Sequence, residues 1–301
     1  MSSTPTARHS AGPPAASTPT TTWTLSGFGD EIDADPVVQV AVLQALGAHH
    51  IEVRSAWGTN IVELDAEQLD RLASVLSERE MGVSAIASPI GKVEIGLPVQ
   101  HELDRLASAI RAAKRLDARY IRIFSFYSEQ GFAPDEAEAA RIRDEVLVRM
   151  RALADLAERE NVTLLHENEK EIYGDTPERV LDLIESVGSE NLRVAWDNAN
   201  FVQVGVKPFS DGYRMLRPYF EYLQVKDAIA GTGTVVPAGE GDGELLETLT
   251  ALRDDGYTGF VSLEPHLTDV NALGGFSGPA AFGRAARALD RISKQLGITI
   301  A

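Results

Sequence analysis

The sequence predicts a single (β/α)8 TIM barrel of the α/β class, and three observations predict it. Eight short apolar runs alternate with longer amphipathic stretches, the pattern of strands buried between helices in a parallel sheet. The runs recur at roughly 30 residues, as expected for a barrel of about 250 residues built from eight βα units. The fifth to eighth runs each end in carboxylate or amide side chains, at the strand ends where such barrels carry their chemistry. An open doubly wound sheet is the competing fold, but no GxGxxG follows the first run.

Taken in order, the chain opens with 22 residues rich in Ser, Thr, Pro and Ala that lack a run of large apolar side chains. They read as a disordered tail (1–22), neither a signal-peptide core nor a membrane anchor, and leave 23–301 as the barrel domain. The strand runs are 23–28 (WTLSGF), 50–54 (HIEVR), 82–88 (GVSAIAS), 119–126 (RYIRIFSF), 162–167 (VTLLHE), 192–197 (LRVAWD), 222–227 (YLQVKD) and 259–264 (GFVSLE). Helical patterns fill 36–46, 66–78, 101–116, 136–160, 176–186 and 244–254. Two carry start signals: Asp65 stands before AEQLDRL, and Asp175-Thr176-Pro177-Glu178 before RVLDLI, where a side-chain oxygen can cap and proline sits early.

With 301 residues and 44% hydrophobic content the chain can bury a sizeable core. A formal charge of −17 repels phosphate backbones and anionic lipid, so neither nucleic acid nor a membrane is an expected partner. The absence of cysteine excludes disulfides and thiolate metal sites. No stretch of ~18 apolar residues occurs, and a cytoplasmic location is expected. A homo-oligomer, or a second subunit completing the site, is compatible with the sequence.

Strand side chains alternate faces, so one choice of face brings Glu167, Asp197, Gln224 and Glu264 into the barrel mouth. Three carboxylates facing one another without a cation repel, whereas a divalent ion makes the cluster favourable. The set is all oxygen if Gln224 binds through its carbonyl, which favours Mn2+, then Mg2+. Co2+ and Zn2+ are the remaining alternatives. The bland reading is that each carboxylate caps the next helix or pairs with a nearby Lys or Arg.

The segments HENEKEIYGDTPE, WDNANFVQVGVKP, YLQVKDA, VPAGEGDG and SLEPHL, with GFGDEID at the start and SPIGK and RIFSFY between, carry a resemblance. They are similar to the sugar phosphate isomerase/epimerase group of the xylose-isomerase-like barrel superfamily, from Leu25 to about Leu296. The resemblance implies a metal held by Glu, Asp, His and Glu from strands five to eight, by position Glu167, Asp197, Gln224 and Glu264. Gln224 stands where His is common and replaces an imidazole nitrogen with a weaker oxygen. His266, two residues after Glu264, is a substitute ligand or a supporting hydrogen-bonding residue, and His166 alternates to the opposite face from Glu167.

A divalent ion that chelates substrate oxygens acidifies the carbon beside a carbonyl. The resemblance then implies Glu167 and Glu264 as the pair that removes and returns the proton of a sugar or keto-sugar, through a metal-stabilised enediolate. Lys226 shares the face of Gln224 and could steady that enediolate, or else only pair with a carboxylate. Arg54, Asn200, His266 and Trp196 are the candidate substrate contacts. Arg122 and Glu52 are either contacts or buried pair partners. Trp57, Phe126, Tyr127 and Phe201 could stack on a ring, and Lys92 and Lys170 read as surface charges. The glycine-rich stretch 237–243 lies where barrels often place a phosphate loop, but its two acidic residues argue for a mobile loop and a sugar that need not be phosphorylated.

The expected activity is therefore a metal-dependent isomerase or epimerase acting on a small-molecule sugar. A lyase on the same site is the first alternative, because an enolate that loses a β-leaving group gives dehydration or cleavage of a 3-keto-glycoside or C-glycoside. A multi-zinc endonuclease would need more strand-end histidines than His166 and His266, and a barrel that lost its metal and only binds is the last alternative.

Overall fold

The structure, a computed structural model, describes residues 22–128, 136–267 and 277–301. The predicted tail therefore lies outside the described residues, apart from Thr22, which opens the first strand.

Eight parallel strands form the barrel: β1 (Thr22–Gly27), β2 (His50–Val53), β3 (Gly82–Ala87), β4 (Tyr120–Ile123), β5 (Thr163–Glu167), β6 (Leu192–Asp197), β7 (Phe220–Val225) and β8 (Phe260–Leu263). Each pairs with its sequence neighbour from β2 to β8, and β8 pairs with β1. A parallel bridge between Phe28 and Glu52 closes the ring between β1 and β2. A short ninth strand, β9 (Thr299–Ile300), adds to the outside of β1 at Thr22 and Trp23. All eight strand runs of the sequence are present.

The helices are α1 (Pro36–Ala45), α2 (Ala66–Glu78), α3 (Val99–Arg115), α4 (Glu136–Glu160), α5 (Pro177–Val187), α6 (Asn198–Gln203), α7 (Leu245–Asp254) and α8 (Gly278–Leu296). Asp65 starts α2 with a capping box: its carboxylate accepts from Gln68 N, while Asp65 N donates to Gln68 Oε1. Thr176 precedes α5 without a side-chain cap, so that start rests on Pro177. The α8 helix was not anticipated, although Phe282, Ala285, Leu289 and Ile292 bury one face at helical spacing.

The fourth run ends sooner than its apolar length suggests. Beyond Ile123 the backbone turns away, with Phe124 N donating to Ile90 O and Phe126 N to Gly91 O, both at 2.8 Å. Only glycine fits at position 91, where φ is +83° and a Cβ would lie 2.1 Å from Phe124 O.

The core has two parts. Outward-facing strand residues such as Ile51, Ile121, Leu164 and Val194 pack against the helices. Inside the ring, Ala85, Tyr120, Leu165, Ala195 and Tyr222 form a separate cluster with Phe260 against it. That inner plug supports the residues one step further along each strand. No described helix is long and apolar enough to cross a membrane.

Candidate active site at the strand ends

Alternation places the residue two beyond each plug residue at the mouth. From Leu165 it reaches Glu167, from Ala195 Asp197, and from Tyr222 Gln224 and then Lys226; past Phe260 and Ser262 it reaches Glu264. One oxygen from each of Glu167, Asp197 and Glu264 lies within 4.8 Å of the others, and all three residues are buried.

Each carboxylate is held by a different set of neighbours. Glu167 accepts from Asn200 Nδ2 at Oε1 (2.9 Å) and lies 3.0 Å from Arg122 Nη1 at Oε2. Asp197 caps α6 by accepting from Asn200 N at 2.9 Å through Oδ1. Its Oδ2 lies 3.0 Å from Lys226 Nζ but accepts no hydrogen bond from protein. Glu264 takes Lys226 Nζ at 2.6 Å on Oε2 and Arg54 Nη1 at 3.0 Å on Oε1. The bland reading thus holds in part, since these residues do cap and pair. It does not explain why three of them converge.

Burial and neighbours push the carboxyls apart. Burial raises Glu167 against the pull of Arg122, and Glu264 raises it further. Burial likewise raises Asp197 to about 7, against Lys226. Burial acts upward on Glu264 too, but Lys226, His266, Arg54 and Arg122 together hold it well below the usual carboxylate range. Burial disfavours the Lys226 ammonium, yet Asp197, Glu264 and Glu167 outweigh it and keep the lysine charged.

The residues fit a hard divalent cation. The converging atoms are oxygens, one of them a buried carboxylate oxygen that accepts no hydrogen bond. Around the mouth, Asp30, Glu31, Glu167, Glu169, Asp197 and Glu264 are ion-paired with Arg54, Lys92, Arg122 and Lys226. Six carboxylates there share four cations, and a divalent ion would favour the ionised forms of Glu167 and Asp197. Gln224 is satisfied without a cation in one of its two amide orientations. With its nitrogen turned to Glu167 it donates to Oε1 and Oε2 at 3.0 and 3.1 Å; with its oxygen turned there, the carbonyl faces only acceptors unless a cation lies between them.

The substrate candidates divide. Arg54, its side chain 18% exposed, bridges Asp30, Glu31 and Glu264 at 2.8–3.0 Å. His266 lines the mouth with Nε2 3.3 Å from Glu31 and 3.4 Å from Glu264. Its φ of +46° is a left-handed conformation that costs about 1 kcal/mol. Asn200 is committed to Glu167 and to Asn168 O, which makes it a support for the carboxylate.

Trp196 must be corrected. It is fully buried among Phe201, Tyr213 and Phe220, with its indole nitrogen donating to Asn198 Oδ1, and has no face for a substrate. The same alternation that turns Asp197 inward turns Trp196 outward. Phe201 belongs to this cluster too, and Phe126 is buried. His166 points away from the triad, its Nε2 3.0 Å from Ser125 Oγ, and burial pulls its pKa down to about 3.

The glycine-rich stretch is also not as expected. Asp227 accepts from the backbone N–H of Ala228, Gly239, Gly241 and Gly243 at 2.9–3.1 Å. A Cβ at Gly241 would lie 2.5 Å from Asp227 Oδ1. The segment is pinned, and amides that could have cradled a phosphate are already used. Sequence reasoning also left out Asp30 and Glu31, although GFGDEID holds both, and it took Lys92 for a surface charge where it pairs with Glu169 at 2.9 Å.

Beneath the charged layer lies a neutral one. Glu52 accepts from Tyr222 Oη at 2.9 Å and Ser262 Oγ at 2.6 Å. The hydroxyls of Ser84 and Tyr222 are 2.9 Å apart, and those of Ser84 and Ser26 are 2.6 Å apart. Burial raises Glu52 to about 7, against Arg122 and the Ser262 hydrogen bond.

The model of the xylose isomerase-like TIM barrel family matches residues 40–295. No curated protein matches the sequence. Among solved structures, the probable 3-DHS dehydratase of Bacillus anthracis involved in petrobactin synthesis is similar at 19% identity and a TM-score of 0.69, over 89% of this chain and 98% of that one. A D-psicose 3-epimerase, solved in the presence of D-fructose, gives 18% identity and a TM-score of 0.68 over 91% and 99%. A xylose isomerase-like TIM barrel protein from Mycobacterium smegmatis, in complex with magnesium, gives 19% identity and a TM-score of 0.61 over 91% and 98%. At these identities the likeness is one of fold.

Proposed function

The chain belongs to the xylose isomerase-like TIM-barrel family, and on that premise we propose that it is an isomerase or epimerase of a sugar or keto-sugar derivative. The observation that carries the proposal is the convergence of Glu167, Asp197 and Glu264, from three strand ends, within 4.8 Å in a buried mouth. These three, with Gln224 through its carbonyl, would hold one divalent cation, Mn2+ in our reading. Such an ion supplies the positive charge that acidifies a carbon beside a carbonyl.

The chain's own groups carry the rest. Glu167 and Glu264 are the proton carriers, and their environments are unequal. Burial favours a proton on Glu167, so this carboxylate can accept one from carbon at Oε1 or Oε2 and return it. Glu264 is held anionic by its cations. Lys226 and Arg122 lie where negative charge developing on a substrate oxygen would be stabilised. Every cation named at the mouth already has a carboxylate partner, which favours a neutral polyhydroxylated substrate over a phosphorylated one.

Incubating the protein with Mn2+ in deuterated water and a panel of ketoses should place deuterium on the carbon next to the carbonyl. No exchange with any ketose or keto-glycoside, in protein shown to bind Mn2+, overturns the proposal. The lyase reading keeps its place because His266, pulled down to about 4 by burial with Lys226 and Arg54 against Glu264, offers a neutral imidazole beside Glu264. Release of an aglycone or of water from a 3-keto-glycoside or a keto-polyol would favour it.

A further inference from the structure

Lys226 is placed differently from the other two cations of the cluster. Arg122 approaches Glu167 through Oε2 at 3.0 Å, and Arg54 approaches Glu264 through Oε1 at 3.0 Å. Lys226 Nζ approaches the opposite oxygens: Glu264 Oε2 at 2.6 Å, Glu167 Oε1 at 3.9 Å, and Asp197 Oδ2 at 3.0 Å. The lysine thus reaches one oxygen of every member of the carboxylate triad. The arginines approach the other oxygens of two of them, Arg122 Nη1 also lying 3.7 Å from Glu264 Oε1.

We propose that Lys226 is the resident counter-ion of the metal-free site and that it exchanges with the divalent cation. This rests on the reading of the triad as a metal site. An ammonium and a divalent ion cannot share the same three oxygens, because two positive centres a few ångströms apart in a buried site repel strongly. The arginines can stay where they are, so only Lys226 has to leave. Its four-carbon stem is flexible, as an arginine's planar fork is not. Glu169, paired with Lys92 at 2.9 Å and with its side chain 14% exposed, already acts electrostatically on Lys226 and would share its charge with the displaced ammonium. Without the metal, Lys226 prevents three buried carboxylates from facing one another unscreened. With it, the ammonium is freed from the triad and can turn to a substrate oxygen.

The exchange has two readouts that do not depend on turnover. In the wild-type protein Lys226 is about 95% buried and should resist an amine acetylating reagent. Saturating Mn2+ should raise its labelling at least five-fold by peptide mass spectrometry. Calorimetric titration with Mn2+ should show Lys226→Met binding at least ten-fold more tightly than wild type at the same pH, since binding no longer displaces a competing charge. The labelling arm needs no variant, so it stands even if Lys226→Met folds poorly. Mn2+ binding to the wild type with unchanged Lys226 labelling overturns the exchange and leaves the metal site intact. Tight binding by Lys226→Met alone supports the competition and removes metal from the native function. Binding by neither protein overturns both.

Discussion

Two layers inside the same barrel, two residues apart along each strand, bury polar groups in opposite ways. At the mouth, Glu167, Asp197 and Glu264 are held by other charges, and the carboxylates outnumber the cations around them. Directly beneath, Glu52 is held by hydroxyls of Tyr222 and Ser262, and the serine hydroxyls hold one another. Both layers are equally inaccessible to solvent. Burial therefore does not distinguish function from structure here. Electrostatic imbalance does distinguish the two layers, and it is the feature on which the proposed metal site rests.

The largest effect should come from removing a proposed proton carrier in the unbalanced layer. Glu167→Gln keeps the shape and should lower turnover by ~10²–10⁴-fold, read as deuterium exchange into a substrate found by the ketose panel. Turnover within ten-fold of wild type would make Glu167 a bystander. Glu264→Gln should be costlier to the fold, because it takes the charge from a buried partner of Lys226 and Arg54. Breaking such a pair typically costs ~3–5 kcal/mol, so denaturant unfolding should rank Glu264→Gln well below Glu167→Gln in stability.

The neutral layer should answer to pH instead. The Glu52 carboxyl is raised from 4.5 to about 7 in the folded protein. As pH rises from about 4.5, the unfolded chain loses this proton first, so the stability contributed by Glu52 is complete below that pH and lost as pH passes about 7. The window corresponds to roughly 3 kcal/mol. Glu52→Gln has no proton to lose. The stability of this variant minus that of wild type should rise by about that amount between pH 4.5 and 7, then level off. A flat difference would show that Glu52 is ionised throughout and that the lower layer is charged after all.

Much of this contrast was legible beforehand, and the reasons are physical. Buried parallel strands are near-continuous apolar runs, so all eight could be marked, and a side-chain period of two was enough to bring Glu167, Asp197 and Glu264 to one face. The same period, applied strictly, would have turned Trp196 outward; its mistaken place at the mouth came from reading proximity to Asp197 as shared direction. Other features depend on closure of the ring. Arg54 meets Glu264 across 210 positions of sequence, and Asp227 collects the amides of three alternate glycines 12 to 16 residues away. Alternating residues at a strand end suggest a face, but nothing local says which loop will fold back over it. The α8 helix was missed although its apolar stripe of Phe282, Ala285, Leu289 and Ile292 recurs at helical spacing.

The smallest effect tests whether the lower layer is as self-sufficient as its hydrogen bonds indicate. Tyr222→Phe removes one hydroxyl, yet Glu52 Oε2 keeps Ser262 at 2.6 Å, and Ser84 keeps Ser26 at 2.6 Å and Ile51 O at 3.2 Å. No neighbour loses its last partner, so the cost should be about 1 kcal/mol in denaturant unfolding, the net worth of one ordinary hydrogen bond. Turnover should stay within a few-fold of wild type. The Tyr222 hydroxyl also helps the charged form of Glu52, so its removal should move the Glu52 pH window upward. A Tyr222→Phe protein that loses turnover as Glu167→Gln does, with its stability intact, would mean that the two layers work as one, with the hydroxyl network positioning Gln224 and, through it, Glu167.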